Sequence, residues 1–438
     1  MKIRETPADD KVCGWFDLSK RRVPCEAAKG NTRARWAVVG AGLTGLAVAR
    51  QLGSNFPDDQ IVLLEAQEIG FGASGRNSGF AIDLPHDIGA ADYIGDPAKA
   101  KMSLALNRYA QQQISALVSQ YGIDCQLAAA GKYQAAVENK GLKVLDAYMG
   151  GLDRLGQSYQ VIDGKDLPEH IGTSFYRKAL FTPGTMLLQP ASLVKGLADS
   201  LPQNVTLFEN CAVTEVEYSS PIVLSHSTGS VVVDKLVLAN NAFASQFGFL
   251  KGRLLPVFTY ASMTRPLTSE EQIRLGGKQQ WGIIPGDPFG TTLRRTPDQR
   301  LLVRNMMRYH PDGKTNRQVL TAATEMQRRS FERRFSMLPN IEFEYTWGGA
   351  MCMTRNHAGH FGPLRKDVYG ALGCNGLGIT RGTGTGMLLA DWLAGKDSEL
   401  IDFLLSSAGP SANPPEPLLS IGVNSSLYWG QYRAGQES

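Results

Sequence analysis

Trp36 to Val39 form a short apolar run that stops at a glycine, and the spacing beyond it changes from continuous to helical across LTGLAVARQL. QIVLLEA then reads as a second buried strand, so one βαβ unit of about 30 residues opens the ordered chain. Residues 97–121 place Met102, Leu106, Tyr109, Ile114, Leu117 and Val118 near one stripe and predict a long amphipathic helix whose stripe serves packing. Further on, the pattern predicts a helix after Pro190, strands at 205–208 and 212–218, and more strand in SVVVDKLVLANNAFAS. Such alternation, so far from the first unit, predicts that one layered domain resumes after an insertion.

Residues 253–309 are strand-like, with turns at Pro266, Gly286 and Pro297-Asp298, and predict an antiparallel sheet broken by the charged helix RQVLTAATEMQRRSFERRF. The stretch from Glu344 runs strand, loop, strand, glycine-rich turn and helix, and the proline-rich tail from Pro410 is expected to lie over the surface. The fold class is therefore α/β, α+β overall, with a Rossmann-like domain at 34–96, 185–250 and 345–405. An antiparallel-sheet substrate domain is inserted at 97–184 and 251–344, between an arm (1–33) and a tail (406–438).

Charge changes this picture little. There are 45 basic and 41 acidic residues, a formal charge of +4, and no block of like charges, so neither nucleic acid nor an acidic membrane is an expected partner. Cys13, Cys25, Cys125, Cys211, Cys352 and Cys374 form no C-x-x-C pair and read as reduced thiols. Without an apolar leader or an apolar run of ~18 residues, the expectation is a cytoplasmic protein with no membrane span. Oligomeric state is not legible.

The first candidate chemistry is Gly40-Ala-Gly42-Leu43-Thr44-Gly45, a G-x-G-x-x-G after a strand and before a helix. Gly40 makes the tight turn, Gly42 admits a pyrophosphate to the backbone, and Gly45 lets helix and strand pack closely. Glu65 ends the second strand, where a carboxylate accepts ribose hydroxyls and disfavours a 2′-phosphate. The glycine-rich loop AQEIGFGASGRNSGF then offers backbone N–H groups to a resident cofactor, where a visiting nicotinamide needs no such loop.

At these residues the chain resembles the D-amino acid oxidase superfamily of FAD enzymes, which includes glycine, sarcosine and gamma-glutamylputrescine oxidases. The likeness runs in order through the cradle, Glu65, GFGASGRNSG, LQPASLVKGLA, LVLANNA and GLGITRGTGTGMLLADWLAG. It implies FAD as cofactor, with pyrophosphate at the first helix, ribose at Glu65 and Ala66, and adenine near Ala212 and Val213. It further implies that the loop around Arg76, Asn77 and Ser78 holds the flavin ring, with Gly72, Ala73, Ser74, Gly79, Ala239 and Asn240 also binding the cofactor. Gly376, Leu377, Gly378, Ile379 and Thr380 would feed a helix from about Thr383, whose positive end stabilises anionic flavin.

The activity so implied is oxidation of an amine or amino acid at a CH–NH bond, by hydride transfer to flavin N5 and hydrolysis of the imine. Because the flavin carries the hard chemistry, no acid–base dyad is required. Oxygen, a quinone or a carrier protein are the alternative acceptors; a non-catalytic FAD protein and a colourless NAD-dependent dehydrogenase are the rival readings.

Cys352 resembles the cysteine that carries covalent flavin in sarcosine oxidase, against its ordinary reading as a buried apolar thiol. Arg294, Arg295, Arg300 and Arg304 lie on the expected substrate sheet, where a strand arginine is ordinarily solvated. Arg304 alternates with Leu302 and is the preferred clamp for a substrate carboxylate. Sarcosine oxidase has an oxygen-reactive lysine where Val303 or Arg304 falls, and a relative has a carboxylate-binding lysine at Thr380; this chain departs from both. His357 and His360 lack a third metal ligand, so no metal is expected. Tyr260, Trp281 and Trp347 are pocket candidates whose ordinary place is the core.

Overall fold

The computed structural model describes residues 1–438 except 9 and 11. Strand Gly30–Val39 runs parallel between Gly229–Leu238 and Ile61–Leu64, with Val205–Phe208 beyond the latter. Val368–Leu372 continues the parallel set on the other side, and His360–Arg365 closes that edge antiparallel. Continuous apolar runs such as Ile61–Leu64 are what a sheet covered on both faces requires. The strand expected at 212–218 shrinks to Glu215–Glu217, which pairs in an antiparallel flap with Ile222–His226.

The second sheet orders Phe343–Met353, Leu255–Thr264, Leu301–Tyr309, Thr292–Arg295, Trp281–Pro285, Lys132–Ala136, Lys178–Thr182 and Gln160–Asp163. Its pairs are antiparallel except Trp281–Pro285 with Lys132–Ala136. Phe343–Met353 pairs with Leu255–Thr264 along its length, so it belongs to this sheet, and the chain returns to the first sheet only at His360. The expected boundary at 344/345 therefore falls at the start of a strand that the register assigns to the other layer.

The arm is part of the fold. Cys13 and Trp15 are buried with Ala191 of the helix Pro190–Asp199 and with Leu302 and Trp347 of the second sheet, and Gln189 Nε2 donates to the Trp15 carbonyl at 2.6 Å. The tail runs over the surface as a helix. After Pro410, whose carbonyl accepts from Arg253, it forms the helix Leu418–Arg433 and ends with Glu437 buried, accepting from the N–H groups of Val137 and Glu138. No helix among the described residues is long and apolar enough to cross a membrane.

Candidate cofactor and substrate site

A cavity of about 1430 Å³ opens beyond the carboxyl ends of the parallel strands, with Val39, Leu64, Ala239 and Leu372 on its wall. It exceeds the roughly 300–1,000 Å³ of an ordinary ligand pocket and lies where open α/β sheets bind ligands. Ile3, Pro7 and Ala8 of the arm join Ala212 and Val213 on the wall, a contribution that no pattern in the arm signals.

Gly40 (φ +95°) turns the chain, and Gly42 caps the helix Leu43–Asn55. A Cβ on Gly45 would sit 1.7 Å from the Gly40 carbonyl oxygen, so Gly45 serves close packing and does not line the cavity. Gly42, Leu43 and Thr44 do line it. Glu65 and Ala66 follow; the Glu65 carboxylate accepts from Ala41 N at 2.9 Å and Gln67 N at 3.0 Å. Its free surface faces the cavity, and burial raises its carboxyl above the ordinary value despite these bonds.

Residues 70–75 repeat the first turn. Gly70 has φ +84°, Gly72 caps the short helix Ala73–Arg76, and a Cβ on Gly75 would lie 1.8 Å from the Gly70 carbonyl oxygen. The signal is a second G-x-G-x-x-G, GFGASG, set 30 positions after GAGLTG. The turns touch where Leu43 N donates to Ser74 Oγ at 3.0 Å. Gly72, Ala73, Ser74, Arg76, Asn77 and Ser78 line the cavity. The Arg76 guanidinium, however, is directed to the arm and the second sheet, donating to the carbonyls of Asp10, Val12, Phe71 and Gly348. Gly79 (φ +75°) lies off the wall, pressed against Arg294.

Gly376, Leu377, Gly378 and Ile379 line the opposite side. Helical winding starts at Gly378 in a widened turn, Gly378–Gly382, that runs into Thr383–Leu393, so the free N–H end lies near Leu377 and Gly378 rather than at Thr383. In this wider turn Thr380 points into the protein, while Arg381 reaches the wall. Ala239 and Asn240 complete the middle, and both amide atoms of Asn240 lack a partner within the described protein. Two glycine cradles, a helix start and an orphaned amide around one long cavity fit a dinucleotide such as FAD.

The end under the second sheet carries the candidate substrate groups. Arg304 lines it, donates to Thr259 Oγ1 at 3.2 Å, and is brought down to about 10 by burial, so it remains cationic at neutral pH. Arg381 is also lowered by burial, against the pull of Cys374 and Asp87. Neither has an ion-pair partner among the described residues. His86, stacked on Tyr93 at 4.5 Å, stands near both; burial first, then Lys132, Arg304 and Arg381, hold it neutral at about 3. His86 and Arg381 carry no sequence pattern, and neither is signalled by the spacing around it.

The other arginines are not solvated as expected. Arg294 is fully buried, donates to the carbonyls of Ser78, Gly79 and Leu188, and falls to about 9 through desolvation. Arg295 bonds the carbonyls of Gly276 and Lys278, and Arg300 pairs with Asp298 and Glu344. Cys352 lines the cavity but sits in an apolar cluster with Ala244, Leu254 and Leu372, and burial pushes its thiol up, away from the nucleophilic thiolate. Tyr260, Trp281 and Trp347 are core residues off the wall, whereas His357 and His360 line it with their basicity lowered by burial.

The sequence profile of the family described as "FAD dependent oxidoreductase" (DAO) matches residues 35–392. Gamma-glutamylputrescine oxidoreductase of Escherichia coli (strain K12) is 26% identical over 88% of this chain and 87% of that protein. Glycine oxidase from Geobacillus kaustophilus has a similar fold, with a TM-score of 0.72 at 19% identity over 86% of this chain and 99% of that one. L-proline dehydrogenase from P. horikoshii gives 0.68 at 16% identity over 86% and 97%.

Proposed function

Since the chain belongs to the DAO family of FAD-dependent oxidoreductases, we propose that it oxidises a carboxylate-bearing amine or amino acid at a CH–NH bond, releasing an imine that hydrolyses. The bound FAD supplies the hydride acceptor, N5 of its ring. The chain's part is to hold the substrate and keep the site dry. Arg304 and Arg381 carry the reading, as two guanidiniums that line the same cavity and have no ion pair among the described residues. A guanidinium binds carboxylate through two parallel hydrogen bonds, which fixes the carbon next to nitrogen. Neutral His86 adds an acceptor or donor without a competing charge. The relatives named for a putrescine derivative, glycine and proline support the amine class.

FAD is held in this reading by the two glycine turns, Glu65, Asn240 and the Leu377–Ile379 backbone. Cys352 remains a candidate for covalent attachment, although its apolar seat favours a non-covalent cofactor; colour left in the acid-precipitated pellet would mark attachment. The test of function is anaerobic bleaching of the bound flavin by sarcosine, pipecolate, putrescine derivatives and D-amino acids. Arg304→Leu should raise the KM of the bleaching substrate roughly 10- to 100-fold. If no amine bleaches the flavin, a non-catalytic FAD protein is the better account. Readmitting air then separates the acceptors. Val303 or Arg304 at the strand position of sarcosine oxidase's lysine favours the dehydrogenase reading, in which colour returns slowly.

A further inference from the structure

The C-terminal helix Leu418–Arg433 lies beyond residue 392, where the family match ends, and it is apolar on two opposite faces. Leu419, Val423 and Leu427 turn inward onto Leu255, Val257 and Tyr309, and Val423 and Leu427 reach the cavity wall. Leu418, Ile421, Tyr428, Trp429 and Tyr432 turn outward, each between 58% and 70% exposed. At 100° per residue these five fall on one stripe together with Gly422 and Ser425.

We propose that this outward stripe is where a second copy of the chain packs, helix against antiparallel helix, about a two-fold axis at Ser425. The order of side chains is self-complementary about that residue. Leu418 meets the partner's Tyr432, Ile421 meets the partner's Trp429, and Gly422 lies under the ring of the partner's Tyr428. Small Ser425 meets itself and lets the helices approach, and every outward position finds an opposite of suitable size. Isologous interfaces of this kind are the commonest way that soluble chains pair.

Charge favours the antiparallel sense. The stripe itself carries no charged residue, and Arg433 stands at its edge over Trp429. In the antiparallel pair the two Arg433 groups are about 24 Å apart, well beyond the Debye length of ~10 Å, whereas a parallel pair would set them side by side. The helix dipoles are then opposed as well. The five side chains expose roughly 500–600 Å² per copy, so pairing buries about 1,000–1,200 Å², which reaches the size of a specific interface. A membrane-surface helix would need a basic polar face, and this helix has a single basic residue and turns its other face to the protein. Pairing would also press Val423 and Leu427 onto the cavity.

Size-exclusion chromatography with light scattering on the FAD-loaded protein should give the mass of two chains at micromolar concentration. Ser425→Glu and Ser425→Lys place like charges face to face and should each raise the dimer dissociation constant at least tenfold, giving monomers. Mixing the two variants should restore a dimer of one Glu and one Lys chain. A monomeric wild type overturns the proposal, as does a Ser425→Glu protein that stays dimeric or a mixture that stays monomeric. A monomeric wild type that floats with phosphatidylserine vesicles would assign the face to a lipid surface instead.

Discussion

Residues 40–45 and 70–75 share a backbone and differ in what they become. In both, a glycine with positive φ starts the turn, a second glycine caps a helix, and a third admits a carbonyl oxygen where a Cβ would stand. The first leads into Leu43–Asn55, whose neighbour Thr383–Leu393 packs so closely that a Cβ on Gly386 would lie 2.5 Å from the Thr44 carbonyl oxygen. The second stops at Arg76, because Asn77 leaves the helix and ties itself to Ser74 and Gly79. A glycine motif therefore fixes a local cradle, while the residues after it decide whether a long dipole or a compact ring of N–H groups stands behind.

The largest break should come from the third glycines. Gly45→Ala forces a methyl group into the Gly40 carbonyl beneath a helix packed on both sides, and should cost more than about 4 kcal/mol, with FAD lost. Gly75→Ala meets the same geometry in a short helix that has more freedom to shift, and should cost about 1–3 kcal/mol while the flavin dissociates more readily. Urea midpoints and retained visible absorbance measure both. Equal losses would mean that the helix behind the turn does not matter.

A smaller effect should follow from separating the turns. Ser74→Ala removes the acceptor for Leu43 N–H and should lower stability by about 1 kcal/mol, as loss of a helix cap does, with weaker FAD binding. Unchanged thermal midpoint and FAD affinity in that variant would show that the cradles act independently.

The first turn was legible because a buried strand precedes GAGLTG and a helix follows. Its twin was legible only as a loop, since residues 66–69 supply no strand and the helix is one turn long. Arg304 could be placed by alternation with Leu302, which the structure buries on the same face. Arg294 could not, because the carbonyls that bury it belong to Ser78, Gly79 and Leu188, more than a hundred residues away. Arg381 was hidden by a widened turn that shifts the expected facing by one residue, and His86 by a loop without period. The affiliation of Phe343–Met353 is set by pairing register, which local hydrophobicity does not encode.

Glu65 supplies the finest test, since it takes one N–H from the first turn, at Ala41, and one just before the second, at Gln67. Burial raises its folded-state pKa above the ordinary 4.5, so between 4.5 and that raised value the folded chain holds a proton that the unfolded chain has released. Stability from this group is therefore complete below 4.5 and is lost as pH rises through the folded value, by at most about 1.4 kcal/mol per pH unit. Glu65→Gln cannot titrate, and in flavin-free protein it should gain on the wild type as pH goes from 4.5 to 7, followed by urea midpoints. Its FAD affinity should nevertheless fall, because the amide keeps one acceptor oxygen where the carboxylate had two. The opposite slope would mean that the two cradles together stabilise the anion more than burial penalises it, and the turns would then be equal partners in holding one charge.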